Sequence, residues 1–125
     1  MQTRPFARPR PTGNLELYAW LFTRVSAVVL LGMALYHLLY MHIALGLDSI
    51  SFQLIAWRWQ NPGWRVFDLF LLVFGWLHGA NGMRIILEDY VRPRGWRVLA
   101  KVLLYLLTFV LIVLGAYVVL TFKAP

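Results

Sequence analysis

The chain lacks cysteine and has few charged residues. Its 125 residues include no cysteine, which excludes disulfides, thiolate metal sites, iron–sulfur ligation and covalent haem attachment through C-x-x-C-H. Charged residues make up 14%, against about a quarter in soluble domains. Hydrophobic residues make up 61% and the mean hydropathy is +0.67, so the composition indicates a membrane protein. Any redox chemistry must therefore use a bound cofactor, and the three histidines are the strongest candidate ligands.

Acidic residues are scarce, and the net charge is +7. In so apolar a chain, a net positive charge indicates arginines that flank membrane spans rather than a surface that binds phosphates. We therefore expect membrane lipid, and no nucleic acid, around this protein.

Three long apolar stretches cover residues 18–47, 64–87 and 98–122. Each is long enough to cross a bilayer as a helix, which takes about 20 residues. The sequence thus predicts an all-α integral membrane protein with three transmembrane helices. We expect residues 1–14 to form a flexible cytoplasmic tail, with a docking strand for a peripheral subunit as the alternative, and residues 15–125 to form one membrane anchor domain.

The connections between the spans carry the orientation signal and a further helix. Arginines are concentrated in the tail and in the second connection, which predicts a cytoplasmic N-terminus and a C-terminus outside. The first connection, residues 46–63, contains two tryptophans among aliphatic residues and ends in Asn-Pro-Gly. This composition predicts a short helix at the membrane interface, followed by a turn into the second span.

The second span contains His78 near mid-depth, and an ionisable residue inside a membrane indicates a functional site. At 100° per residue, Gly75, Gly82, Ile85 and Asp89 fall within about 60° of the histidine's face. Small neighbours leave room for a flat, bulky group beside a neutral imidazole, as a haem ligand requires.

A packing role explains the same residues equally well. Gly75 and Gly79 form a small-xxx-small pattern that commonly packs helix on helix. His78 could then simply form a hydrogen bond across that contact, and the spacing alone does not decide between the two interpretations.

The first span carries a second polar face, which includes Ser26, His37 and Tyr40 within about 40°. For His37, a packing histidine and a second iron ligand both remain open, whereas His42 is expected at the interface. The third span has no internal charge, so we expect it to close the bundle and face lipid.

Two segments carry a family resemblance. Residues 78–90, His-Gly-Ala-Asn-Gly-Met-Arg-Ile-Ile-Leu-Glu-Asp-Tyr, resemble the second-helix motif of succinate dehydrogenase membrane anchors, in which a glycine follows the histidine by four residues and an aspartate by eleven. Residues 20–26 resemble the start of the first anchor helix, with its Arg-x-Ser/Thr element. The Asp89-Tyr90 pair and the chain length favour the D-type anchor of complex II.

The resemblance implies an anchor subunit of succinate:quinone oxidoreductase. Such an anchor is half of a haem-binding bundle that a second anchor, the C-type cytochrome b556, completes. Both anchors hold an iron–sulfur subunit and a flavoprotein subunit at the bacterial inner membrane. The implied cofactors are haem b and, as substrate, a quinone (ubiquinone or menaquinone).

The resemblance also implies roles for individual residues. His78 would be an axial ligand of the haem iron, and in two-haem members His37 would ligate the second iron. Tyr90 and Asp89 would lie at the quinone site, and Arg24 and Ser26 near the quinone or a haem propionate. The subunit would not be catalytic on its own.

Two other function classes compete with this interpretation. The main alternative is a haem-free structural anchor that only recruits the soluble dehydrogenase subunits. A small transporter is the other, but it predicts acids at mid-depth, whereas the acids here lie toward the ends of the spans.

Overall fold

The computed structural model describes residues 13–123, which are mostly helical and include no strand. The helices are α1 (Asn14–Leu38), continued by a π-helical segment (Leu39–Ala44), a 3₁₀ turn (Leu47–Ser49), α2 (Phe52–Arg58), α3 (Pro62–Tyr90) and α4 (Arg94–Thr121). Three segments, 14–44, 62–90 and 94–121, are long and apolar enough to cross a membrane. This confirms the predicted all-α, three-span architecture.

The predicted tail falls almost entirely outside the described residues. Only Gly13 and Asn14 of that segment are described, and Asn14 is already the first residue of α1. The predicted boundary between tail and anchor domain therefore stays a prediction.

Local sequence signals explain where the short connections begin and end. Gly46 has a φ of 82°, a left-handed conformation that favours glycine, and it separates the π-helical segment from the 3₁₀ turn. The Ser51 side chain accepts a hydrogen bond from the backbone N–H of Leu54 and so caps α2. Asn61 caps α3 in the same way, with Pro62 as its first residue. The short helix predicted in residues 46–63 is thus confirmed.

Helix α3 lies between α1 and α4 and packs against both. Phe22 on α1 meets Phe74 on α3, with their ring centroids 5.7 Å apart. On the other side, a Cβ atom at Gly115 would lie 2.6 Å from Cδ2 of Leu72, so a side chain at residue 115 would require Leu72 to shift. Most large apolar side chains remain exposed, as expected for helices that face lipid or other membrane chains.

Polar contacts join the helices at the two ends of the bundle, here called the Arg58 end and the Glu88 end. At the Arg58 end, Arg65 donates to the backbone carbonyls of Val119 and Leu120, at 2.8 and 2.9 Å, and of Phe122, at 2.8 Å. These bonds satisfy carbonyls that the last turn of α4 leaves free. At the Glu88 end, Glu88 accepts from Lys101 Nζ at 3.1 Å, which ties α3 to α4.

Candidate functional site

His78 lies in the middle of α3, and its ring is held by α1. Its Nδ1 is 2.7 Å from Oγ of Ser26, which is fully buried. The same hydroxyl lies 3.3 Å from the backbone carbonyl oxygen of Thr23. Across residues 13–123 no hydrogen bond reaches Nε2 of His78. The imidazole is therefore anchored through one nitrogen, while the other is available.

Three glycines leave the neighbouring face of α3 open. A Cβ atom at Gly75, Gly79 or Gly82 would meet nothing within 4 Å in the part of the chain that the structure describes. Gly75 and Gly79 therefore do not pack against a helix of this chain. They line instead a largely apolar cavity of about 570 Å³ between α3 and α4, a size within the range of sites that bind small molecules.

These residues fit a haem axial ligand. Histidines that bind metals usually use their second nitrogen in a hydrogen bond that fixes the ring, as Nδ1 of His78 does with Ser26. By helical angle, Gly75 and Gly82 are the glycines nearest to His78, and they leave the surface of α3 beside this ring without side chains, whereas His78 itself does not line the cavity between α3 and α4. No group of three potential metal ligands occurs within residues 13–123.

Two arginines line a second, more polar cavity at the Glu88 end. This cavity of about 260 Å³ is bordered by Trp20, Thr23, Arg24 and Arg84, among others. The guanidinium carbon of Arg24 lies 4.0 Å from the centroid of the Trp20 ring, a cation–π contact. The structure thus places Arg24 beside a cavity, whereas Ser26 lies against His78 and does not line this cavity.

Tyr90 and Asp89 end α3 at the Glu88 end, and both side chains are exposed. Tyr90 is 82% exposed, and neither residue lines the cavity beside Arg24. Residues 13–123 therefore do not enclose these two side chains.

His37 lies at the Arg58 end, away from His78. Its Nδ1 is 3.5 Å from Oδ1 of Asp68, close enough for an ion pair if the ring is protonated. This nitrogen is buried and has no hydrogen-bond partner among the described residues. The structure therefore groups His37 with Asp68 and not with the other predicted site residues.

His42 is exposed, and its Nδ1 lies 3.2 Å from the carbonyl oxygen of Leu38 in its own helix.

Comparison with known proteins decides the family. The family model of the succinate dehydrogenase/fumarate reductase transmembrane subunit matches residues 2–119. The chain belongs to this family. A search of curated proteins gives no match. As a transmembrane subunit of succinate dehydrogenase/fumarate reductase, it is a multi-pass membrane protein that associates with other subunits of that complex.

Two further residues of this transmembrane subunit, Asn81 and Thr23, lie beside the site and were not predicted from the sequence. Nδ2 of Asn81 donates to the Ala19 carbonyl at 3.2 Å and to the Thr23 hydroxyl. Oδ1 of Asn81 accepts from Nε of Arg84 at 3.3 Å. Asn81 follows His78 by about one helical turn, and an amide at that spacing in an apolar span was the signal that could have identified it.

Proposed function

We propose that this transmembrane subunit binds a b-type haem through His78 and contributes to the quinone site of the complex. The observation that supports the haem is the asymmetry around His78. Ser26 engages Nδ1 at 2.7 Å, while Nε2 has no hydrogen bond from residues 13–123 and an open glycine face lies beside the ring. A histidine whose only task was packing would need neither the open face nor the available nitrogen.

The residues that would hold the haem come from two chains. His78 would ligate the haem iron from this chain, and a histidine of the second anchor would ligate it from the other. Arg24 and Arg84 border the polar cavity, and guanidinium groups favour carboxylates. Arg84 already donates to Glu88 at 3.1 Å, so Arg24 is the guanidinium better suited to a haem propionate. A bound haem supplies reversible one-electron transfer at this point of the membrane.

The quinone site would lie at the Glu88 end. There the exposed hydroxyl of Tyr90 can donate a hydrogen bond to a quinone carbonyl and stabilise the charge that develops on its oxygen during reduction. Asp89 is next to it and can carry protons to the site or pair with an arginine. Arg24 is the other candidate for contact with the quinone.

The reaction belongs to the complex as a whole. Succinate is oxidised to fumarate on the flavoprotein subunit, and electrons pass through the iron–sulfur subunit to the quinone. This chain anchors those subunits and is not catalytic by itself. We place it in a bacterial cytoplasmic membrane with the Glu88 end on the cytoplasmic side, where the basic tail and second connection would lie.

The haem proposal is tested on the complex purified from membranes in detergent. We expect a flavin-containing subunit to copurify, and we expect b-type bands in the reduced-minus-oxidised spectrum. Haem extracted as its pyridine complex gives the haem content per flavin. A complex that contains flavin but no haem would contradict the proposal and favour the haem-free structural anchor.

The quinone proposal predicts a selective defect when Tyr90 is replaced by phenylalanine. Loss of the hydroxyl should slow quinone reduction by about 10-fold or more, since a positioned donor typically contributes about 10²–10⁴-fold. Succinate oxidation by a water-soluble artificial acceptor should be unchanged. Tyr117→Phe is the matched control, because Tyr117 is also exposed but lies near the opposite end of the bundle. Equal slowing of both reactions in Tyr90→Phe would exclude a pocket role.

A further inference from the structure

We infer that Ser26 is a positioning residue for His78: its hydroxyl accepts the Nδ1 proton in a hydrogen bond and thereby leaves the Nε2 lone pair for the iron. This inference rests on the proposed haem ligation. It gives Ser26 a role different from the one that the sequence predicts, which was contact with the quinone or a haem propionate.

The direction of the hydrogen bond follows from the groups around the hydroxyl. A serine has one hydroxyl hydrogen, and a backbone carbonyl can only accept. Oγ of Ser26 lies 3.3 Å from the Thr23 carbonyl oxygen and 2.7 Å from Nδ1 of His78. When the hydroxyl donates to Thr23, both contacts are satisfied only if Nδ1 carries the proton and donates to Oγ.

The tautomer decides whether the ring can bind iron. A neutral imidazole with its proton on Nδ1 has a lone pair on Nε2, which is the nitrogen that coordinates. In the opposite arrangement Ser26 would donate to Nδ1, Nε2 would carry the proton, and His78 would be no ligand. The carbonyl of Thr23 thus favours the tautomer that binds metal.

The position of Ser26 makes this contact rigid. Ser26 is fully buried, so water does not compete for its hydroxyl. The contact also lies where α1 and α3 are tied together, because Asn81 on α3 bonds to the Ala19 carbonyl and the Thr23 hydroxyl on α1. The orientation of the His78 ring is therefore set by helix packing and not by a mobile side chain.

This hydrogen bond should affect the haem in two measurable ways. An acceptor on the far nitrogen makes an imidazole ligand more basic, and loss of such an outer partner typically weakens metal binding by about 10–100-fold. A more basic axial ligand stabilises the oxidised iron, so the hydrogen bond lowers the midpoint potential. It also fixes the plane of the ring, to which the electron paramagnetic resonance signal of oxidised low-spin haem is sensitive.

The experiment compares Ser26→Ala and Ser26→Thr in the purified complex. In Ser26→Ala we expect an upward shift of the haem midpoint potential, altered g-values of the oxidised haem, and haem binding weakened by up to about 100-fold. Ser26→Thr keeps the hydroxyl and should restore the potential and the g-values. Thr121→Val is the control, because it removes a hydroxyl that donates to the Tyr117 carbonyl of its own helix at 2.7 Å and lines neither of the two cavities described above.

Each result has a defined meaning. An unchanged potential and unchanged g-values in Ser26→Ala, with haem still lost in His78→Ala, would overturn the role of Ser26 and leave the haem proposal standing. Haem that is unaffected by His78→Ala would overturn both. A shift of equal size in Thr121→Val, or no recovery in Ser26→Thr, would also overturn the inference. If the complex with Ser26→Ala does not assemble, Ser26→Cys replaces the hydroxyl with a weaker acceptor of similar size. An unchanged haem midpoint potential in Ser26→Cys would then overturn the role of Ser26.

Discussion

Replacement of His78 by alanine is expected to remove the b-type haem signal from the purified complex while the subunit stays folded. The substitution removes the proposed axial nitrogen, and the hydrogen bond to Ser26 is lost with it. Ser26 keeps its contact with the Thr23 carbonyl, so the structural cost should stay within about 1–3 kcal/mol. Haem content per flavin and the reduced-minus-oxidised spectrum measure the effect.

The other two histidines provide the comparison for this experiment. His42→Ala changes an exposed residue that contacts only its own helix among the described residues, and should leave the haem content unchanged. His37→Ala separates the one-haem and two-haem cases, because only in the latter should half of the haem disappear. A normal spectrum in His78→Ala would contradict the ligand assignment.

Hydropathy and helical periodicity predicted the architecture and the surroundings of His78. The second apolar stretch, 64–87, is shorter than α3, Pro62–Tyr90. Hydropathy detects only the apolar part of a helix, whereas hydrogen bonding continues through its polar ends. The positions of Gly75 and Gly82 relative to His78 could be predicted because all three residues lie on one helix. An angle of 100° per residue relates them, and the calculation does not depend on how that helix packs against the others.

Contacts between helices were not predictable in this way. Ser26 and His78 are separated by 52 residues, and their contact depends on how far α1 is shifted along α3, which periodicity within each helix does not define. The pairing of His37 with Asp68 depends on the same shift. The sequence therefore grouped Ser26 with Arg24 and did not indicate its contact with His78.

Counting the positive charges on each side of the membrane likewise could not predict the environment of Arg58. Such counting uses only the sign of each charge and does not indicate which arginine is buried. The structure instead buries Arg58 to 2% exposure and stacks its guanidinium carbon 4.6 Å from the centroid of the Trp64 ring. The positive charge of Arg58 follows from the sequence, but the residues that surround this charge do not.

Replacement of Asp68 by alanine is expected to be strongly destabilising because it removes the partner of this buried charge. The Asp68 carboxylate accepts from both terminal nitrogens of Arg58, at 2.6 and 2.8 Å, and from Nε1 of Trp59 at 2.8 Å. These bonds hold α2 against α3. Breaking a buried ion pair from one side typically costs about 3–5 kcal/mol, because the remaining charge is left without compensation.

The free energy of unfolding or the melting temperature of the detergent-purified complex measures this effect. Asp48→Ala is the matched control, because Asp48 is exposed and forms no ion pair within residues 13–123, and it should change stability by less than about 0.5 kcal/mol. Combining Arg58→Met with Asp68→Leu should recover most of the loss, since buried ion pairs can often be replaced by apolar residues at little cost. A double variant as unstable as Asp68→Ala would show that the bonds themselves, and not the uncompensated charge of Arg58, account for the loss.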